Sequence, residues 1–193
     1  MAKTNPGNFF EDFHVGDVIE HATPRTITEG DRALYGALYP TRFALWSSKE
    51  FAGAAGLAGA PLEDLIGFHI AFGKTVPDVS LNAVANLGYA ELRFHRPLVA
   101  GDTLTTSSEV IGLKQNSNGK SGVVYVRSTA RDQNGEVAID WEWAANSVDD
   151  DGALDVYGTR RLLQRDLLFH DVLYDHVQAT IATRDPSVLY PVM

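Results

Sequence analysis

Five residues in one stretch of the chain have the chemistry to meet a polar ligand: His69, Lys74, Asp78, Asn82 and Asn86. Lys74 suits an anion, and the two amides can donate to a carbonyl-type oxygen. The run from Lys74 to Asn86 suits the ends of secondary structure equally well. His69 suits either a ligand cleft or a core position with its ring hydrogen-bonded. Glu63 and Asp64 could activate a water, or could serve a helix N-terminus as cap and dipole partner. Lys114, Lys120, Arg127 and Arg131 could receive phosphates or could line a solvated strand face. No metal site is expected. His14, His21 and His95 are scattered, and His170 and His176 stand six apart, on opposed faces of a helix. Gly56 and Gly59 lack the spacing of a phosphate cradle, and no serine sits in a nucleophile motif.

The elements that must position these groups follow from periodicity. Asp17 to Glu20 and Thr23 to Thr28 read as short strands. Thr28 and Asp31 have capping-box spacing ahead of Ala33, Leu34, Ala37 and Leu38, which predicts a helix to about Tyr39. A second short helix is expected from about Ser48 to Ala55. Pro61 then opens the most apolar helix, Leu62 to about Lys74, whose apolar residues cover most of its circumference, so a buried helix is expected. From Leu81 to Ser147 the chain reads as an antiparallel meander. Its turns include Asn118-Gly119 and Asn134-Gly135, where glycine admits positive φ. An aromatic arm with Phe9, Phe10 and Phe13 precedes all of this. The acidic run Asp149-Asp150-Asp151 marks a break. Beyond it, Tyr157 to Ala182 is helical in pattern, with Leu163, Leu167, His170, Tyr174, Val177 and Ile181 as a stripe for its own body or a partner chain.

The 193 residues carry 45% hydrophobic residues, enough for one domain core plus an appendage. The fold class is therefore α+β: an antiparallel sheet wrapped around a long central helix over 1–148, with a helical extension over 149–193. No apolar run is long enough for a membrane span. Met1 to Gly16 has no apolar core, so no leader is expected there. The formal charge of -9 opposes nucleic acid and anionic membrane. The absence of cysteine excludes disulfides and thiolate chemistry, and a cytoplasmic address fits.

Two segments resemble the MaoC-like hydratase family. They are Ile27 to Asp31 continuing to Ala52, and Leu87 to Leu104 with its Arg93-Phe94-His95-Arg96-Pro97 and Gly101-Asp102-Thr103-Leu104. Arg131 to Val137 matches the family's late hairpin. Phe72 to Tyr89 and Glu109 to Lys120 resemble, more narrowly, the first half of mesaconyl-CoA hydratases. The resemblance spans residues 9–148. It implies a hotdog fold and a hydro-lyase acting on enoyl-CoA or 3-hydroxyacyl-CoA thioesters of branched C5 dicarboxylic type. It implies no cofactor, the CoA thioester being substrate or ligand. It also implies pairing of hotdogs, as a homodimer or with a second, catalytic half.

The chain departs from the family at the acid–base signature. Members carry an Asp, an Asn, and a His five residues after the Asp, in the loop after the first helix. Counted from Asp31, those places fall on Thr41, Phe43 and Trp46. A hydroxyl and an indole cannot replace a carboxylate and an imidazole near neutral pH. The expectation is a half that lacks its own acid and base and borrows them from a partner hotdog. Two alternatives are a non-catalytic acyl-CoA-binding subunit, and a hotdog thioesterase using Glu63 or Asp64.

Overall fold

The capping box expected at Thr28 is formed in the computed structural model, which describes residues 7–40, 43–57 and 59–149. The Thr28 hydroxyl accepts the Asp31 N–H at 3.2 Å, and the Asp31 carboxylate accepts the Thr28 N–H at 2.9 Å. Helix α1 follows, Glu29–Leu38. A single 3-10 turn, Ala44–Trp46, precedes α2, Lys49–Ala54, where Ser48 caps the Phe51 N–H. The long helix α3 is Asp64–Thr75.

Its start corrects the reading that Pro61 opens it. Leu62 donates its N–H to the Leu98 carbonyl at 2.7 Å, and Pro61 and Leu62 stand outside the helix. Glu63 becomes the N-cap, accepting the Leu65 N–H at 3.2 Å. At the other end, Pro77 has no N–H to continue the ladder, and the chain widens into a π-turn, Val76–Ser80.

Six strands are present among the described residues: β1 (Val18–Glu20), β2 (Arg25–Thr26), β3 (Ala83–Phe94), β4 (Thr103–Gln115), β5 (Ser121–Arg131) and β6 (Val137–Val148). Their order is β1-β4-β5-β6-β3, with β2 also on β4, and every pairing is antiparallel. The expected simple meander is thus corrected. β3 does not pair with β4 but with β6, from Ala83 opposite Ser147 to Phe94 opposite Ile139. Its other edge is left open among the described residues.

The crossover from β3 to β4 is clamped by Arg96, which donates to Asp102 at 3.0 Å and to Asp132 at 2.7 Å. Asp102 also accepts the Val99 N–H, and Asp132 accepts those of Asn134 and Glu136. Burial pushes both carboxyls up, but these hydrogen bonds and the Arg96 charge outweigh it. Both are held below the usual aspartate value.

The sheet wraps α3, which is the hotdog arrangement. On β6, Trp141 and Trp143 stand edge-on to Phe68 and Phe72 of the helix, Ile139 lies against Gly67, and alternate residues Ile139, Trp141, Trp143 and Ala145 are buried in the same core. The arm is pinned as expected, with Phe13 buried and Phe10 over Gly122. The helix is less enclosed than its composition implied. Leu65, His69 and Gly73, four residues apart, form an exposed line along it. α1 buries no residue at all, and Leu34 and Leu38 are 64% and 63% exposed. The extension expected over 149–193 lies, beyond Asp149, outside the described residues.

Gly67 marks the tightest approach of α3 to its surroundings. A Cβ there would sit 2.5 Å from Leu98 Cδ1 and 3.1 Å from Ile139 Cδ1. Gly67→Ala gains ~1 kcal/mol of helix propensity but overpacks a filled core, at a cost of ~1–3 kcal/mol. A net loss in urea unfolding is expected. Gly73→Ala meets nothing within 4 Å and is expected to stabilise.

Candidate functional site

α1, the loop Phe43–Ser47 and the start of α3 enclose a cleft of about 240 Å³. Its walls include Arg32, Tyr35, Tyr39, Trp46, Glu63 and Ile66. Tyr35 reaches it because it lies one helical turn beyond Arg32 on the same face of α1. Glu63 reaches it because it caps α3. The phenol of Tyr35 hydrogen-bonds to Glu63, and burial, then the Glu63 charge and this bond, raise its pKa above the usual tyrosine value. Glu63 therefore holds two donors, the Tyr35 hydroxyl and the Leu65 N–H. Burial pushes the neighbouring Asp64 carboxyl up.

Arg32 braces the cleft. Its Nε and Nη2 donate to one oxygen of Glu29, at 2.9 and 2.7 Å. Its Nη1 donates to the Trp46 carbonyl at 3.3 Å. Trp46 lies in the wall, and Phe43, 51% exposed, stands edge-on to it at 5.4 Å between ring centres. Thr41 lies outside the described residues.

The five residues singled out first do not converge. His69 is exposed, not a core histidine; it lines a groove between α1 and α3 beside Arg25, Leu34 and Leu38, edge-on to Tyr35 and Phe68. α1 does not close over it, so of the two positions open to it the core one is excluded. Lys74 donates to the Thr23 hydroxyl at 3.2 Å. Asp78 and Asn82 come together through the arm. The Asn8 amide donates to the Asp78 carbonyl at 2.9 Å, and the Asn82 amide donates to the Asn8 carbonyl at 3.2 Å. Asn86 sits in the irregular part of β3, donating to the Tyr89 hydroxyl at 2.7 Å and accepting the Gly88 N–H. On the late strands Arg127 is paired with Glu142 at 2.7 Å, and Arg131 donates to the Gly135 carbonyl.

Sequence reasoning missed a chain of buried hydrogen bonds. Asp78 meets His21 Nδ1 at 2.8 Å, and His21 Nε2 meets Ser108 at 2.7 Å. Ser108 meets Ser128 at 2.7 Å, which accepts the Trp143 indole N–H at 2.9 Å. These residues are far apart in sequence and form no motif. The His21 side chain is 0% exposed with both ring nitrogens engaged, so it is a structural group. A second pair, His95 and Asp140, is partly exposed and bridges β6 to the residue after β3. Neither pair is part of the cleft wall. Among the described residues no cluster could hold a metal ion.

Comparison with known proteins gives a consistent picture. The model of the mesaconyl-CoA hydratase family matches residues 1–161. A β-methylmalyl-CoA dehydratase of Chloroflexus aurantiacus is 63% identical over 140 residues, covering 72% of this chain and 40% of the relative. A mesaconyl-CoA hydratase of Cereibacter sphaeroides is 60% identical over 139 residues, with the same two coverages of 72% and 40%. A solved structure described as a MaoC domain protein dehydratase, from Chloroflexus aurantiacus, superposes with a TM-score of 0.76 at 58% identity, over 79% of this chain and 43% of that one. The chain spans about 40% of the length of these curated relatives.

Proposed function

The chain belongs to the mesaconyl-CoA hydratase family, and on that footing we propose that it is one half of a two-hotdog acyl-CoA hydratase, the half without an acid–base pair of its own. The assembly adds water across the double bond of a branched C5 dicarboxylic enoyl-CoA, placing a proton on the α-carbon and hydroxide on the β-carbon, or removes it again. The carrying observation is Trp46 in the cleft wall, the residue that falls on the histidine's place when the family signature is counted from Asp31.

A partner hotdog supplies the missing carboxylate and imidazole. Two surfaces suit it. The free edge of β3, with Leu87 and Tyr89 55% and 49% exposed, can extend the sheet, and the uncovered Leu34 and Leu38 of α1 need an apolar cover. A homodimer covers the same surfaces without supplying the acid and base. A cytoplasmic setting belongs to the same proposal, because the ligand is a CoA thioester. Among the described residues no helix is long and apolar enough to cross a membrane.

The reading is tested by melting the full chain with mesaconyl-CoA and assaying free thiol. Binding raises the melting temperature, since a ligand at about 100 times its Kd stabilises by ~2.7 kcal/mol. No thiol is released. Steady release of CoA, abolished by Glu63→Gln or Asp64→Asn, would replace the hydratase reading with a hydrolytic one.

A further inference from the structure

We propose that Arg32 is the receptor for the free carboxylate of the dicarboxylic acyl group, and so a specificity-determining residue of the cleft; this rests on the hydratase reading above. A short dicarboxylic acyl chain ends in a fixed negative charge. Enclosing that charge in a cleft without a cation is unfavourable, and a planar guanidinium meets a carboxylate better than an ammonium does. The protein as a whole repels it, with a formal charge of -9, so the cation must be local.

Arg32 is the one arginine or lysine among the described residues in the cleft wall. Its side chain is only 21% exposed. Its Nη1 is anchored on the carbonyl of Trp46, inside the loop where the acid–base residues of a complete site would stand. Its Nε and Nη2 each donate to a single oxygen of Glu29. The Glu29 side chain is 59% exposed, and an ion pair so open to water is weak. Glu29 therefore acts as a replaceable occupant. It can turn into solvent and leave Nε and Nη2 as a fork for an incoming carboxylate.

The other acid in the wall does not oppose this. Glu63 is turned to the Tyr35 hydroxyl and the Leu65 N–H. Lys74, the anion partner suggested by sequence, is held by Thr23 and is absent from the wall.

The test compares binding of two thioesters to the full chain by calorimetry: mesaconyl-CoA, and (E)-2-methylbut-2-enoyl-CoA, in which a methyl replaces the free carboxylate. The wild-type chain is expected to prefer mesaconyl-CoA by about tenfold or more, the size of a charge-assisted pair. Arg32→Gln is expected to lose that preference while keeping its affinity for the methyl analogue. Arg32→Lys keeps part of it, and Glu29→Gln keeps or raises it. Where Arg32→Gln does not fold, Arg32→Lys and Glu29→Gln carry the comparison, and a preference that falls in Glu29→Gln overturns the proposal. A preference that survives in Arg32→Gln also overturns it. Equal binding of both thioesters by the wild type removes the Arg32 assignment and leaves the half-hydratase reading standing. Binding of neither removes both.

Discussion

Assayed alone, the chain is expected to hydrate mesaconyl-CoA at the rate of buffer, and mixing it with the unmatched remainder of its Chloroflexus relative is expected to raise turnover by about 10²–10⁴-fold, the usual contribution of a positioned acid and base. The reason is local. Water addition needs one group to take a proton from water and another to protonate the α-carbon. In the cleft wall the candidates are an indole, a phenol whose pKa is raised, a cap carboxylate already holding two donors, and a guanidinium. Among the described residues no imidazole stands beside a carboxylate in this wall, so the pair that would divide the two proton transfers is missing from it. The expectation is checked by following loss of the conjugated thioester absorbance with and without the added half. Fast turnover by the isolated, homogeneous chain would locate an acid–base pair within it and defeat the half-site reading.

The largest stability effect is expected at Trp141. Its side chain is fully buried and stands edge-on to Phe68, with ring centres 5.3 Å apart. It joins the sheet to α3 at the middle of the core. Trp141→Ala is expected to cost ~3–5 kcal/mol, combining lost apolar burial with the cavity left behind. Trp141→Phe is expected to cost far less. It keeps most of the volume and removes an indole N–H that has no hydrogen-bond partner. Urea unfolding of the two variants checks both statements. An alanine variant as stable as the parent would mean that the sheet and helix do not close on this side chain.

The parts of this fold that sequence made legible are those decided by near neighbours. Thr28 and Asp31 stand three apart, so their reciprocal capping could be read directly, and the structure forms it. Gly119 and Gly135 take positive φ where Asn-Gly turns were expected. The pairing of β3 with β6 could not be read, because it joins the two ends of the strand region and no local signal reports it. Pro61 misled for a similar reason. Its first-turn preference is real, but a distant carbonyl, that of Leu98, decides the geometry.

At the site the balance differs. The family motif directed attention to Trp46, which does line the cleft, and Glu63 was noted as a cap, which it is. Arg32 and Tyr35 were passed over. Their spacing from Glu29 is visible on α1, but their meeting with Trp46 and Glu63 depends on how separate elements dock. His69 fits a cleft or a core position equally by sequence, because its exposure is set by α1 standing clear of α3.

The buried row from Trp143 to Asp78 has a direction. An indole can only donate, and a carboxylate can only accept. Between these ends the row crosses three neighbouring strands, from Trp143 on β6 through Ser128 on β5 to Ser108 on β4, and reaches Asp78 on the π-turn through His21, the residue after β1. The exit of the long helix is thus tied through the interior to three strands at once, and the end of β1 is held by that row as well as by its ladder.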